Sequence, residues 1–180
     1  MEYGVAGGVS DDKDATGNTV TINGGTVNGP DGMYGGGSAT GNATGNIFII
    51  NGGTVNGTVV GGRADEGNAT GNTVIIGKEP VFGDDGEMIT IFGGAGAKDS
   101  ITGNTLIFDK YKGGGAVFGI ANFEKIEFIL SAETKNKGTV LDVTEFTQLD
   151  GAKFEITGVE AGSALAEGDK ITLMTNIFRF

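Results

Sequence analysis

GGVSDDKDATGN (Gly7 to Asn18) returns as GGGSATGNATGN (Gly35 to Asn46), GGRADEGNATGN (Gly61 to Asn72) and GGAGAKDSITGN (Gly93 to Asn104). Each copy is Gly-Gly, seven variable residues and Thr-Gly-Asn, and the starts lie 28, 26 and 32 residues apart. The unit keeps its length while the spacing changes, so insertions fall between units and not inside them. Self-similarity at this period is the mark of stacked supersecondary units that bury one continuous core.

A short apolar run follows each Thr-Gly-Asn: Thr19 to Ile22, Ile47 to Ile50, Thr73 to Ile76 and Thr105 to Phe108. β-Branched residues between Gly and Asn give strand composition. Alternation at period two puts Val20/Ile22, Phe48/Ile50, Val74/Ile76 and Leu106/Phe108 on one face, which is read as inward. Two cycles continue with Asn-Gly-Gly-Thr-Val-Asn-Gly, at Asn23 to Gly29 and Asn51 to Gly57. A third apolar segment leads back to Gly-Gly: Met33-Tyr34, Val59-Val60 and Ile91-Phe92. An antiparallel sandwich would not repeat equivalent residues in the same order every cycle; a coil in which each residue sits above its counterpart would. The fold expected is all-β: a right-handed parallel β-helix (β-solenoid) with three short strands per rung. Six or seven rungs would make a rod of roughly 30 Å at the inter-strand spacing.

Residues 1–110 read as the regular Gly/Asn/Thr repeats. Residues 111–180 read as a less regular continuation of the β-helix and as the start of a cap. There Gly thins out, charges interleave, Phe123, Ile126, Phe128 and Leu130 share a strand pattern, and Thr144 to Asp150 reads as a helical turn. Lys78 to Glu87 reads as a corner insertion that lengthens one cycle. The chain opens in mid-repeat and ends on the apolar Ile177-Phe178-Arg179-Phe180, so a piece of a longer protein is expected.

Composition narrows the function. The 36 Gly and 2 Pro among 180 residues fall below the low-complexity range, and 38% hydrophobic residues can build a core. A net charge of −11 disfavours nucleic acid and anionic membranes as partners. The absence of His and Cys removes the commonest general base and the thiolate metal sites. The longest apolar runs are only a few residues, so no membrane insertion is expected from this segment.

The repeats, with ANFEKIEF (Ala121 to Phe128) and TVLDVT (Thr139 to Thr144), resemble the passenger regions of bacterial autotransporter adhesins. The resemblance implies a right-handed parallel β-helix exposed at the cell surface or secreted, anchored through an outer-membrane β-barrel. No row of alternating ten-residue barrel strands stands in this chain. The resemblance also implies partners on a host or neighbouring cell, protein or glycan, with self-association as an option, and it carries over no functional residue.

Each candidate site has a plainer alternative. Asn18, Asn46, Asn72 and Asn104 form one stacked column, read as a buried corner ladder in preference to a row of ligand-binding amides. The carboxylates Asp11, Asp12 and Asp14, Asp65 and Glu66, and Asp84, Asp85 and Glu87 could hold calcium. Gly93-Gly94-Ala95-Gly96-Ala97-Lys98-Asp99 comes near the calcium-roll motif but places Asp one residue late, so a solvated corner is preferred. Paired carboxylates on a β-helix could also serve a polysaccharide lyase or hydrolase. With Arg63 and Arg179 the only arginines, the chain reads as non-catalytic and without a cofactor or metal. The ice-binding Thr-x-Thr pattern of Thr19-Val20-Thr21 fails in the following rungs. In its place Ile49, Ile75 and Ile107 face outward and stack. This contact stripe is expected to be covered, by a corner loop of the same chain or by a neighbouring molecule.

Overall fold

Each run after Thr-Gly-Asn is extended because its β-branched residues pack well on a pleated, half-buried surface. The computed structural model, which describes residues 4–83 and 89–176, contains sixteen strands and no helix among those residues. In chain order they are β1 (Val5–Ala6), β2 (Val9–Ser10), β3 (Ala15–Thr16), β4 (Thr19–Ile22), β5 (Thr26–Ser38), β6 (Ala43–Thr44), β7 (Ile47–Ala64) and β8 (Ala69–Thr70). There follow β9 (Thr73–Phe82), β10 (Thr90–Gly96), β11 (Thr105–Asp109), β12 (Gly115–Ala121), β13 (Lys125–Leu130), β14 (Thr139–Gln148), β15 (Lys153–Val159) and β16 (Thr172–Asn176).

Every pairing among them is parallel, and the chain winds as a β-solenoid of about five turns. The first face stacks β4, β7, β9, β11, β13 and β15, six strands deep. Five steps of about 4.8 Å give this column a height of about 24 Å, somewhat shorter than the repeat count suggests. The register is like on like: Val20 lies over Phe48, Phe48 over Val74, Val74 over Leu106, Leu106 over Ile126. The inward column Phe48, Ile50, Val74, Ile76, Leu106, Phe108, Ile126 and Phe128 is fully buried, and Met33, Val59, Ile91 and Ile120 meet it from the third face. Burying each such side chain contributes about 1.5–3 kcal/mol, so this shared column outweighs any single polar contact in the fold.

The three strand segments of a rung are joined in β7, which runs eighteen residues without a break. Its corners bend at Gly53 and Gly57, whose φ of 88° and 100° lie in the left-handed region that an L side chain resists. Pairing therefore continues round the corners: Thr26, Val27, Asn28 and Gly29 of β5 lie over Thr54, Val55, Asn56 and Gly57.

The twelve-residue unit is a spur outside this coil. It starts on the third face and returns to the first. Its two-residue strands β3, β6 and β8 form a separate three-stranded sheet, and Ala43, Ala64 and Ala69 make a small core of their own beneath it. The Gly-Gly that opens the unit is a close approach. At Gly62 an added Cβ would lie 2.6 Å from the Oδ1 of Asn72, inside the space the stacked amide occupies.

Two expectations change. Thr144 to Gln148 belongs to β14 and is not a helical turn. Phe146 pairs with Gly119 across a register shift after Val117, and the missing side chain at Gly119 leaves room for its ring. The stretch Lys78 to Phe82 is strand, not loop: it extends β9 over Gly52 to Val55 after a one-residue bulge, and Phe82 packs on Tyr111 with ring centroids 5.5 Å apart. The remainder of that insertion, residues 84–87, lies outside the described residues, as does the 177–180 tail.

The later strands join the same sheet path, β12 to β10 and β13 to β11. At the far end Phe154 and Ile156 occupy the inward register of β15, over Ile126 and Phe128, yet are 47% and 51% exposed. Among the described residues no strand pairs beyond β15.

Candidate interaction surfaces

Alternation along the first face turns one residue in two outward. Ile49, Ile75 and Ile107 are such residues, and they lie directly over one another in register. All three are half-buried. The stripe has polar ends: Thr21 precedes Ile49 in the column, and Glu127 follows Ile107. Beyond that point the face is charged. Lys125 Nζ lies 2.8 Å from Glu127 Oε1 and 2.9 Å from Glu155 Oε2, and these two carboxylates push the lysine pKa up, Glu127 more than Glu155.

The amides of Asn18, Asn46, Asn72 and Asn104 form the corner column. Asn72 is fully buried. Its Oδ1 accepts from the N–H of Asn46 at 3.0 Å and from Nδ2 of Asn46 at 3.1 Å. Its Nδ2 donates to the carbonyl of Ala43 at 3.0 Å and to Oδ1 of Asn104 at 3.3 Å. Both donors and both acceptor positions of that amide are therefore in use, and none is left for a ligand. The column ends at Asn104, whose Nδ2 turns to the carbonyls of Ala69, Ser100 and Asn122.

A second column on the spur has no counterpart in the sequence reading. Asn68 donates from its N–H and Nδ2 to Oδ1 of Asn42, at 2.9 and 3.1 Å. Asn42 donates in the same way to Oδ1 of Asp14, at 2.7 and 3.2 Å. Asn68 Oδ1 accepts from the N–H of Asp99 at 3.2 Å. The signal was present: residues 42 and 68 are both the Asn two places before Thr-Gly, but two copies are few to notice. This column changes the reading of the carboxylates. Asp14 terminates a stack of amides. Asp99 caps a turn, accepting from the N–H groups of Ile101 and Thr102 at 2.9 and 3.1 Å. The Thr102 hydroxyl and these two amides hold its carboxyl below the usual range. Among the described residues no three carboxylates converge as a metal would require. Asp84, Asp85 and Glu87 lie outside them.

The spur leans over the outward side of the third face, and a crevice of about 450 Å³ opens between them. Tyr34, Val60 and Phe92 lie along its floor in one in-register row. Arg63 and Asp65 come from the spur, with Arg63 Nε donating to Asp65 Oδ1 at 2.7 Å and NH1 donating to the Tyr34 hydroxyl at 3.0 Å. The guanidinium carbon sits 5.4 Å from the centre of the Tyr34 ring, and the bond to Asp65 is the main cause raising the arginine pKa. Phe92 is held from the side by Phe146, which is itself edge-on to Phe118. These outward aromatics escape a sequence reading because 26 to 32 residues separate neighbours across the rungs.

Comparison with known proteins leaves the fold standing by itself: no family model, no curated protein and no solved structure matches this chain.

Proposed function

We propose that this chain is a rigid, non-catalytic binding segment of a bacterial cell-surface adhesin of the autotransporter-passenger kind. The observation that supports this best is the outward stripe of Ile49, Ile75 and Ile107, an apolar line on a face that is otherwise Thr-rich on one side and ion-paired on the other. Such a line on a stiff rod suits contact with a surface molecule of a host or neighbouring cell. Repetition along the rod would supply avidity without any bond chemistry.

The test replaces Ile49, Ile75 and Ile107 together by Thr. Thr21 already occupies this column, so the triple variant should keep its fold and lose under about 1 kcal/mol of stability per site. Beads coated with the chain should bind cell monolayers, and the variant should bind at least tenfold less. Equal binding by a folded variant would overturn the stripe as the contact surface.

A further inference from the structure

We infer that the crevice between the spur and the third face is a binding site for a neutral saccharide. It deepens the contact reading by naming a ligand class, and rests on that reading only in being a site of binding without bond cleavage. Arg63 carries five N–H groups; two are committed, to Asp65 and to Tyr34, which leaves three donors in a planar fork. Asp65 commits Oδ1 to that arginine, and its part-exposed carboxylate keeps a second acceptor oxygen. Adjacent donors and an acceptor match vicinal hydroxyls, which both donate and accept. The crevice floor supplies the other half of sugar recognition: the half-buried Phe92 ring offers an apolar surface to the C–H face of a pyranose, and Phe146 fixes its position. Ser100 and Asn122 also line the crevice, with the Asn122 Nδ2 committed to the Gly94 carbonyl. The volume of about 450 Å³ lies in the range of small-ligand sites.

Charge selects the class. The Arg63–Asp65 pair is neutral as a unit and belongs to a chain of net charge −11, so a sugar acid or phosphate would meet repulsion with no uncompensated cation to receive it. A metal ion would find one carboxylate, too few for a hard cation. A neutral polyol meets neither obstacle.

The experiment titrates the purified chain with neutral trisaccharides (β-linked glucotriose, maltotriose and the N-acetylglucosamine trimer) and with a galacturonate trimer, reading saturation transfer from protein to sugar protons. At least one neutral trisaccharide should bind in the millimolar range or tighter, and the galacturonate trimer should bind more weakly. Phe92→Leu keeps an apolar neighbour for Phe146 but removes the flat face. Arg63→Met keeps an aliphatic stem but removes the fork. Each should weaken binding about tenfold with the circular dichroism spectrum unchanged. The Ile49/Ile75/Ile107 Thr variant should bind the sugar as the parent does. No transfer to any neutral probe, a preference for the galacturonate, or undiminished binding in both folded crevice variants would overturn the site. Cleavage of a bound trisaccharide would instead overturn the non-catalytic reading and leave the site in place.

Discussion

The described residues up to 109 and those from 110 to 176 build the same coil from different materials. In the first stretch every described residue with positive φ up to residue 109 is glycine, and the corners are filled by amides stacked on amides. In the second, Lys110, Asn122 and Lys137 take the left-handed conformation themselves, and the outward face carries alternating Lys and Glu. Parallel stacking places like on like, which is harmless for an amide because it both donates and accepts. It is harmful for a charge, because like charges side by side repel. The second stretch avoids that by letting one lysine, Lys125, bridge Glu127 in its own strand and Glu155 in the next. The two materials differ in what they tolerate. The column through Asn46 and Asn72 is buried and fully paired at Asn72, whereas the charged ladder is part-exposed and replaceable.

The largest effect expected follows from breaking the amide column in its middle. Asn72→Ala strands the N–H and one Nδ2 bond of Asn46, the Ala43 carbonyl and part of Asn104 at a fully buried site, and should cost about 3–5 kcal/mol in denaturant unfolding. Glu127→Gln in the charged ladder should cost under about 1 kcal/mol. Equal costs would remove the distinction between the two stretches.

A smaller contrast concerns glycine. Gly62→Ala forces a methyl into the Asn72 amide and should destabilise by about 2–3 kcal/mol, by displacing the column. Gly158→Ala meets nothing closer than Ile129 Cγ2 at 3.5 Å and should change the melting midpoint little, within about 0.5 kcal/mol. The smallest effect has the opposite sign. Lys137 holds φ of 62°, and Lys137→Gly keeps its main-chain bond to Lys170 while relieving that conformation. Strain relief of about 1–2 kcal/mol against a glycine entropy cost of about 0.5–1 kcal/mol predicts a gain near 0.5 kcal/mol in thermal unfolding. The same replacement would have no counterpart in the first stretch, where glycine is already in place.

What could be read beforehand divides along the same line. The solenoid, its first-face register and the Asn18–Asn46–Asn72–Asn104 column were legible because four copies aligned the same residue types. The spur column through Asp14, Asn42, Asn68 and Asp99 was not, since only two of its members are alike. Thr144 to Gln148 misled because Glu145 and Gln148 suit a helix by themselves; it is the packing of Phe146 against Gly119 that makes them strand. Arg63, Phe92 and Tyr34 were each visible, but nothing in a linear reading brings a spur residue over a third-face row from another rung.

The amide columns have one more consequence, for length. Side-chain links in the corner column point their donors toward the later rungs: Asn18 to Asn46, Asn46 to Asn72, and Asn72 to Asn104. The others point back: Asn68 to Asn42, Asn42 to Asp14, Asn51 to Asn23 and Asn56 to Asn28. Three forward against four backward nearly balance. An α-helix gathers fractional charge at its two ends because all its peptide dipoles agree in direction. This coil sets its polar columns against each other, so further rungs of the same kind could be added without accumulating a potential at either end.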